Sequence, residues 1–502
     1  MKTSSRPTIS LTDLTFMLWA PLVPVLFGTR LLNADGDVPR HLSNGEFILD
    51  GGLFQTDAFA WTRTGPFETK EWLSQVVFAL AERAGGLAAV AILVGLLVGL
   101  VLALTVALMR RSGADPMLAW LTGVAVAVLT SVHWVARPHL FTFLGIVLLL
   151  HLAVTAGGRS RWLFLPLFAF WANLHPGFVL GFGILAALSA GELAEARLAH
   201  DRDVRSRRLS RARAHAAGLG LALLGAMFNP DGPALLWKVR TFLGNRYLLE
   251  VTEEFQPVDV LSLYGVLVLV VLLLFVAAFA LRRQRPSMPV LFVALLTLAG
   301  GLMARRNLPL FALAALPLLA TELSSAWRSV RWPRLGRARA TFDEADRVAR
   351  SGRGAAWVAA GLIALALNGG SIAGLRLVPD RFDDGKFPVA AVRAARAAGL
   401  EGRVFNEFLW GGYLVYAWPE QRIFIDGMTD FLGNDVVRSY LLVHSLDDGW
   451  EDELKTRDVS IVIVPPVSRL AQALASTGEW QTWYSDATAA VLRRTTQPAG
   501  NQ

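Results

Sequence analysis

Long apolar stretches separated by short polar connections run through most of the chain. A helix needs about 20 apolar residues to cross a bilayer, and the pattern predicts about eleven such spans, several of them shorter than this. The predicted spans are 14–32, 86–109, 117–135, 139–156, 161–173, 177–191, 214–228, 259–281, 287–304, 307–323 and 354–374. The sequence therefore predicts a mainly α, polytopic membrane helical bundle.

The composition agrees with this interpretation. Of the 502 residues 54% are hydrophobic and the mean hydropathy is +0.45, which is too apolar for a soluble protein of this size. Cysteine is absent, which excludes disulfides and thiolate metal sites. The net charge of +8 comes from arginines that cluster beside apolar runs. This pattern is typical of membrane orientation, so the predicted partner is the lipid bilayer and not nucleic acid.

The positions of the arginines predict the orientation. The basic N-terminal residues 1–7 lead into a first span without a small-residue cleavage site, so we expect that span to be retained, with a cytoplasmic N-terminus. By the positive-inside rule the arginine-rich connections are cytoplasmic too. They are Arg110 and Arg111, Arg159 and Arg161, 197–213, Arg282, Arg283 and Arg285, and 328–353, of which the last is predicted to be a solvated linker.

Segment 161–191 carries arginine at both ends, and its middle contains Pro176 and Gly177. Two short helices that meet at a Pro-Gly break near the outer surface satisfy both flanks, whereas one tilted helix does not. Arg305 and Arg306 are the exception to the charge rule, because they lie in a short outer connection. Charge that opposes orientation usually has a local partner.

From residue 375 the composition becomes that of a soluble domain. Strands are predicted at 403–406, 422–426 and 459–464, with a closing hairpin at 480–484 and 489–492 and helices at 386–399, 433–446 and 467–476. The prediction is a transmembrane domain at 1–374, with a long first outer loop at 33–85, followed by an extracytoplasmic α/β domain at 375–502.

The loop 33–85 opens with Asp35 and Asp37, directly after the first span. At this spacing the two side chains point to opposite sides of an extended segment, so one could act as a general base on an acceptor hydroxyl and the other could bind a metal or cap a helix. Both could equally be turn and cap residues. His41 is close enough to pair with Asp37 if a helix starts at residue 37.

Other outer residues could complete a site. Arginine and histidine side chains at the ends of several spans suit the binding of an anionic lipid headgroup. Alternatively, they only extend to the membrane surface and contact ordinary lipid. The adjacent acids of the second outer loop could bind a divalent cation together with Asp37. The aromatic residue at the loop end is a plausible interfacial anchor, and the glycine-rich turns of the soluble domain suit ligand contacts or simple turns. These candidates are Arg137, His139, His175, Arg305 and Arg306; Glu253 and Glu254; Glu71 and Trp72; and Tyr413 and Asp426.

These motifs resemble those of the GT-C superfamily of membrane glycosyltransferases, and more narrowly of a set of bacterial proteins in that class. The pattern Asp-x-Asp-x-x-x-His-x-x-x-Gly is matched by Asp35, Asp37, His41 and Gly45. Further similar motifs are Glu71-Trp72-Leu73, Arg137-Pro138, Asn173 with His175, Gly411-Gly412-Tyr413 and 424–427. Many relatives carry aromatic residues before the histidine, where this chain has Val38, Pro39 and Arg40.

The resemblance implies a glycosyltransferase with a polyprenyl-phosphate-linked sugar as donor and a lipid, glycan or protein as acceptor, in a bacterial inner membrane. Asp37 is then expected to be the catalytic base, with Asp35 as a helper or a ligand of Mg or Mn. The leaving phosphate is expected to contact His41, Arg137, His139, His175, Arg305 and Arg306, with the acids and these cations sharing one cleft that opens away from the cytosol.

Two other hypotheses remain open on the sequence. A lipid or polysaccharide transporter or flippase could use the break at Pro176 as a discontinuous helix, although such helices usually come as a symmetry-related pair and no second copy is present. A non-catalytic assembly protein could use its C-terminal domain to recruit a partner.

Overall fold

The computed structural model describes residues 9–154, 158–282, 285–348 and 353–495. The N-terminal residues 1–7, Arg283 and residues 349–352, which the orientation argument used, lie outside the described residues. The chain divides into two compact units. The first contains 1–26, 92–134 and 138–372, and the second contains 27–91, 135–137 and 373–502.

The helical part of the chain confirms the predicted architecture, since every predicted span overlaps a helix. Six helices in the described residues are long and apolar enough to cross a membrane, judged by length and composition. Such a set of helices indicates a multi-pass membrane protein. Helices α1 to α15 are Leu11–Asn33, Asp37–Leu49, Trp72–Arg111, Pro116–Thr130, His139–Val154, Phe164–Leu174, Phe178–Leu198, Arg202–Ala226, Ala234–Gly244, Arg246–Val251, Leu263–Arg282, Met288–Met303, Leu308–Ser329, Pro333–Val348 and Arg353–Leu367.

Two arginine-rich stretches that were predicted to be loops are helical. Most of the stretch 197–213 forms the first half of α8, and the predicted linker 328–353 contains α14. Arginine is a good helix former, so polar composition alone does not end a helix. Asp201 also caps α8, because its carboxylate accepts hydrogen bonds from the backbone N–H groups of Asp203 and Val204.

The predicted break near Pro176 is confirmed. Helix α6 ends at Leu174, His175 is extended, and α7 begins at Phe178. Phe168 of α6 stacks on Phe182 of α7 with ring centroids 5.2 Å apart. Helix α7 therefore turns back along α6. Only α6, with 11 residues, is short as predicted, because α7 has 21 residues and is long enough to cross a membrane.

Ion pairs in the first unit tie together helix ends that carry arginine. Arg328 in the last turn of α13 lies 3.0 Å from the carboxylate of Asp115, the N-cap of α4. Arg285 lies 2.8 Å from Glu195 near the end of α7. The same Glu195 accepts a hydrogen bond from the first backbone N–H of α12. The basic ends are thus bound to neighbouring helix ends.

The second unit contains a small α/β structure. Strands β3 (Arg403–Asn406), β4 (Val459–Val464), β5 (Trp480–Ser485) and β6 (Ala490–Arg494) form one sheet in the order β3-β4-β6-β5, in which β3 and β4 are parallel and the other pairs antiparallel. Strands β1 to β6 are Ser371–Ile372, Leu375–Arg376, Arg403–Asn406, Val459–Val464, Trp480–Ser485 and Ala490–Arg494; helices α16 to α21 are Val389–Ala397, Gly411–Ala417, Thr429–Leu432, Asn434–Ser445, Trp450–Thr456 and Arg469–Ser476. The predicted strands at 403–406 and 459–464 and the closing hairpin are confirmed.

The predicted strand at 422–426 is wrong. Only Ile423 pairs, through an isolated parallel bridge to Ala60 of the first loop. The backbone N–H of Phe424 instead donates to the side chain of Asn406, which is fully buried at the end of β3. A side-chain amide thus replaces a ladder hydrogen bond, which a pattern of apolar residues does not reveal.

The first loop is shorter than predicted, because α3 already begins at Trp72 and not at residue 86. Gly85 and Gly86 interrupt α3 with non-helical dihedral angles. Gly86 has φ +68°, a conformation that glycine adopts at little cost. The predicted start of the second span therefore coincides with a kink inside a longer helix.

Candidate active site

The candidate site lies in the second unit, where α1 ends and α2 begins. The Asp35 carboxylate accepts a hydrogen bond of 2.9 Å from the backbone N–H of Asp37. This hydrogen bond closes the turn after α1, and α2 begins at Asp37. The backbone of Gly427 lies directly against the Asp37 carboxylate, where a Cβ atom at residue 427 would overlap Oδ1.

One guanidinium joins the two acids. Arg137 places Nη1 3.2 Å from Asp35 Oδ2 and Nη2 2.8 Å from Asp37 Oδ2. All three side chains are about three quarters buried or more. The expectation that the acids point to opposite sides is wrong, because the segment is a turn into a helix and not extended. Arginine's fixed fork suits two oxygen acceptors side by side.

His41 lies one turn further along α2 and is buried, with 4% of its surface exposed. Its Nδ1 lies 3.2 Å from Gln75 Nε2 and 3.7 Å from Glu71 Oε1, so its described partners come from the start of α3 and not from Asp37. Burial, with the positive charge of Arg137, lowers the pKa of His41 to about 3. The imidazole is therefore neutral at physiological pH.

Glu71 precedes Trp72, the first residue of α3, and its side chain is 19% exposed. Burial raises the pKa of Glu71 to about 7, although Arg137 opposes the rise. A carboxyl group whose pKa lies near neutral can both take up and release a proton, which is a property of general acids and bases.

Arg40 of α2 forms a buried ion cluster with Asp57 and Asp426. Arg40 Nε lies 2.8 Å from Asp426, and Arg40 Nη2 lies 3.7 Å from Asp57. The guanidinium also stacks over the Phe59 ring at 4.0 Å. Burial raises the pKa of Asp426, while the Arg40 charge opposes the rise. Asp426, predicted to contact a ligand, thus has a structural partner on α2.

Close backbone contacts join α17 to α2. A Cβ atom at Gly412 would overlap the carbonyl oxygen of Gly36, and one at Gly411 would overlap that of Ile425. Tyr413, a predicted acceptor contact, is 6% exposed and stacks on Phe387 with centroids 5.1 Å apart. Desolvation raises the pKa of its hydroxyl. The glycine pair therefore lets α17 approach the acidic turn.

Two residues of the site were not predicted from the sequence: Gln75, which contacts His41, and Asp57, which contacts Arg40. Gln75 is 34 positions from His41, and no motif links them. Asp57 forms a turn by accepting from the backbone N–H groups of Phe59 and Ala60. Its Asx-turn pattern is the only signal that could have identified it, and that signal does not point to Arg40.

The remaining predicted residues belong to the first unit, where two histidines have local partners. His139 Nε2 lies 2.6 Å from the carbonyl oxygen of His133. His175 Nδ1 accepts from the Gly177 backbone N–H at 3.0 Å and lies 2.8 Å from the Thr142 hydroxyl. Each histidine is thus held by its own hydrogen bonds, His139 at the start of α5 and His175 directly after the end of α6.

The two exceptional arginines of the first unit pair one-to-one with the acids of the second outer loop. Arg305 lies 2.6 Å from Glu253 and Arg306 lies 3.2 Å from Glu254. Arg306 also stacks over Phe255 at 4.6 Å. The expected local partners of the outer arginines are therefore present. Both glutamates are already paired with arginine side chains.

Within the described ranges, no three histidine, aspartate or glutamate side chains are arranged to hold a metal ion. Asp35 and Asp37 offer the oxygen ligands that Mg or Mn prefers, but both already contact Arg137. A divalent cation at these acids would compete with that guanidinium.

No family model matches the sequence, and no curated protein sequence matches it. Solved structures do match. The arabinofuranosyltransferase AftD from mycobacteria has a TM-score of 0.55 at 14% identity over 98% of this chain, which spans 40% of AftD. The oligosaccharyltransferase AglB from Archaeoglobus fulgidus, in complex with an inhibitory peptide and a dolichol-phosphate, has a TM-score of 0.54 at 13% identity over 97% of this chain and 74% of AglB.

ArnT from Cupriavidus metallidurans, bound to undecaprenyl phosphate, matches with a TM-score of 0.52 at 15% identity. This match covers 97% of the chain and 99% of ArnT. At these identities the likeness concerns the fold, and the three proteins are GT-C glycosyltransferases. The resemblance inferred from short motifs is thereby confirmed at the level of architecture: this chain has the GT-C fold.

Proposed function

We propose that the protein is a membrane glycosyltransferase that moves a sugar from a polyprenyl-phosphate donor to an acceptor on the outer face of a bacterial inner membrane. The fold supports this, since ArnT is bound to undecaprenyl phosphate and AglB to a dolichol-phosphate. The observation that carries it is the geometry of the second unit, where two carboxylates share one guanidinium beside a neutral histidine.

The proposed reaction is an inverting displacement. An acceptor hydroxyl oxygen attacks the anomeric carbon, the bond from that carbon to the phosphate oxygen breaks, and the phosphate leaves with the electron pair. Asp37 takes the hydroxyl proton as general base, while Asp35 holds the start of α2 in place by accepting the hydrogen bond from the Asp37 backbone N–H. Arg137, which lies 2.8 Å from Asp37, is the proposed cation that stabilises the leaving phosphate as charge develops.

His41 and Arg137 are the proposed phosphate contacts of the second unit. The phosphate contacts predicted from the sequence for His139, His175, Arg305 and Arg306, which belong to the first unit, stay predictions. The proposed step uses no divalent cation, because the carboxylates of Asp35 and Asp37 are already paired with Arg137. The identity of the sugar and of the acceptor does not enter this proposal.

The proposed location is the bacterial inner membrane, with a cytoplasmic N-terminus and an extracytoplasmic C-terminal domain. Arginines at the ends of α3, α8 and α13 support this orientation. The candidate residues between α1 and α3 then belong to the outer side, where a lipid-linked sugar is available and cytoplasmic sugar nucleotides are not.

The test is the substitution Asp37→Asn in the full-length protein in lipid vesicles, with transfer from a labelled polyprenyl-phosphate sugar as readout. We expect a loss of turnover of about a hundredfold or more, because the general base is removed. We also expect a polyprenyl phosphate to copurify with the wild type and with the variant alike, as measured by mass spectrometry.

Asp50→Asn is the matched control, since Asp50 follows the last residue of the same helix and its side chain is 76% exposed. It should leave turnover unchanged. A transporter or a scaffold protein would show no difference between the two variants, and that result would reject the proposed enzyme.

A further inference from the structure

A chain of hydrogen bonds leads from the end of the first loop to His41. The Thr69 hydroxyl donates to Gln75 Oε1 at 3.1 Å, and the backbone N–H of Glu71 lies 3.3 Å from the same hydroxyl oxygen. The hydroxyl thus accepts from the Glu71 backbone and donates its own proton to Gln75. The Gln75 carbonyl oxygen is therefore held toward Thr69.

This orientation turns the other end of the amide toward the histidine. Gln75 Nε2 lies 3.2 Å from His41 Nδ1 and can only donate, so Nδ1 must accept. A neutral imidazole that accepts at Nδ1 carries its proton on Nε2. The side chains of Gln75 and His41 are both almost completely buried, so bulk water does not compete for these bonds.

The Nε2 atom of His41 is buried and has no hydrogen-bond partner in the described structure. A buried N–H without an acceptor is costly and rare, so an acceptor brought by a substrate would remove this cost. One turn further on the same face of α2, Asn44 is fully buried and neither of its side-chain polar atoms has a partner. This face of α2 thus carries two buried side chains whose hydrogen-bonding atoms are not satisfied within the described protein.

We propose that Gln75, oriented by Thr69, is a positioning residue that keeps the proton of His41 on Nε2 and so reserves this N–H to donate to a phosphate oxygen of the donor substrate. The inference rests on the proposed function for the identity of the ligand. The proton arrangement itself does not depend on it. The charged groups around the ring are Glu71, Asp35, Arg40 and Arg137, and none of them donates to or accepts from Nε2.

The experiment is ¹⁵N magnetic resonance of full-length protein with labelled histidine in lipid bilayers near neutral pH. The chain has 8 histidines, and the His41 signals are assigned from those missing in His41→Asn. We expect an unprotonated Nδ1 and a protonated Nε2. Gln75→Met removes the donor at similar volume, and it should give a mixture of the two neutral tautomers.

Thr69→Val and Thr69→Ser form a matched pair that leaves Gln75 in place. The valine variant keeps the shape but loses the hydroxyl, so the tautomer should become mixed, whereas the serine variant should keep the wild-type spectrum. Turnover with a polyprenyl-phosphate sugar should fall about tenfold in Gln75→Met and Thr69→Val, the value of one hydrogen bond, and recover in Thr69→Ser.

Two results would overturn the inference: a wild-type proton on Nδ1, or an unchanged tautomer in both Gln75→Met and Thr69→Val. A folded wild-type protein that shows the expected tautomer but transfers no sugar would support the positioning role and count against the proposed function alone. The magnetic-resonance readout therefore separates the two failures.

Discussion

Two groups of arginines in this protein bind carboxylates in different ways. In the second unit Arg137 is shared by Asp35 and Asp37, and Arg40 lies between Asp57 and Asp426 with 2% of its surface exposed. In the first unit Arg305 and Glu253 pair one-to-one, with side chains 41% and 82% exposed.

The difference shows which ion pairs are expected to affect stability and pKa values. Exposed ion pairs are screened by water and contribute little, about 0 to 1 kcal/mol. Buried groups that lose a partner are expensive, and their pKa values shift. The buried set around α2 is therefore expected to govern stability, pH dependence and chemistry, and the exposed pairs to be replaceable.

The largest effect on stability is expected from Arg40→Met. The substitution leaves Asp57 and Asp426 buried without their cation, which costs about 3 to 5 kcal/mol of unfolding free energy. Thermal unfolding in detergent, followed by tryptophan fluorescence, measures the loss. Arg63→Met is the matched control, because it removes the same charge from an exposed arginine that stacks on Phe431. Equal losses in the two variants would contradict the comparison.

A smaller and pH-dependent effect is expected from Glu71→Gln. The folded-state pKa of Glu71, about 7, lies above the ordinary value of 4.5, so the folded protein keeps a proton that the unfolded chain releases. Wild-type stability should therefore fall as the pH rises from about 4.5 to about 7, by at most about 3 kcal/mol. The Glu71→Gln variant should not show this pH-dependent loss of stability.

The unfolding temperatures of wild type and Glu71→Gln should thus be similar below about pH 4.5, diverge in favour of the variant between about pH 4.5 and 7, and differ by a constant amount above that. A constant difference between about pH 4.5 and 7 would mean that Glu71 is ionised throughout. Asp50→Asn, at an exposed position, should track the wild type at every pH.

The smallest effect is expected from Arg305→Gln, which should change the unfolding free energy by less than about 1 kcal/mol. Arg306→Gln should cost somewhat more, because Arg306 is 25% exposed and also stacks on Phe255. The same fluorescence measurement compares them. A loss in Arg305→Gln as large as that in Arg40→Met would show that exposure does not separate the two groups.

Much of the architecture could be predicted from the sequence, because apolar length and turn residues act locally. The helix start at Asp37, the break at Pro176 and the strand 459–464 each depend on a few neighbouring residues. Local patterns were less reliable where a polar stretch continues a helix, as in α8 and α14, or where a distant side chain replaces a strand partner, as Asn406 does for Phe424.

The sequence alone determined the membrane-spanning character, the resemblance to GT-C enzymes and the candidate acids at the end of the first span. Tertiary structure decided how those groups are used, because the partners are far apart in the chain: Arg137 is 102 positions from Asp35, and Gln75 is 34 from His41. Burial of a charge and the sharing of one guanidinium depend on which surfaces pack together. No local pattern of residues encodes such packing.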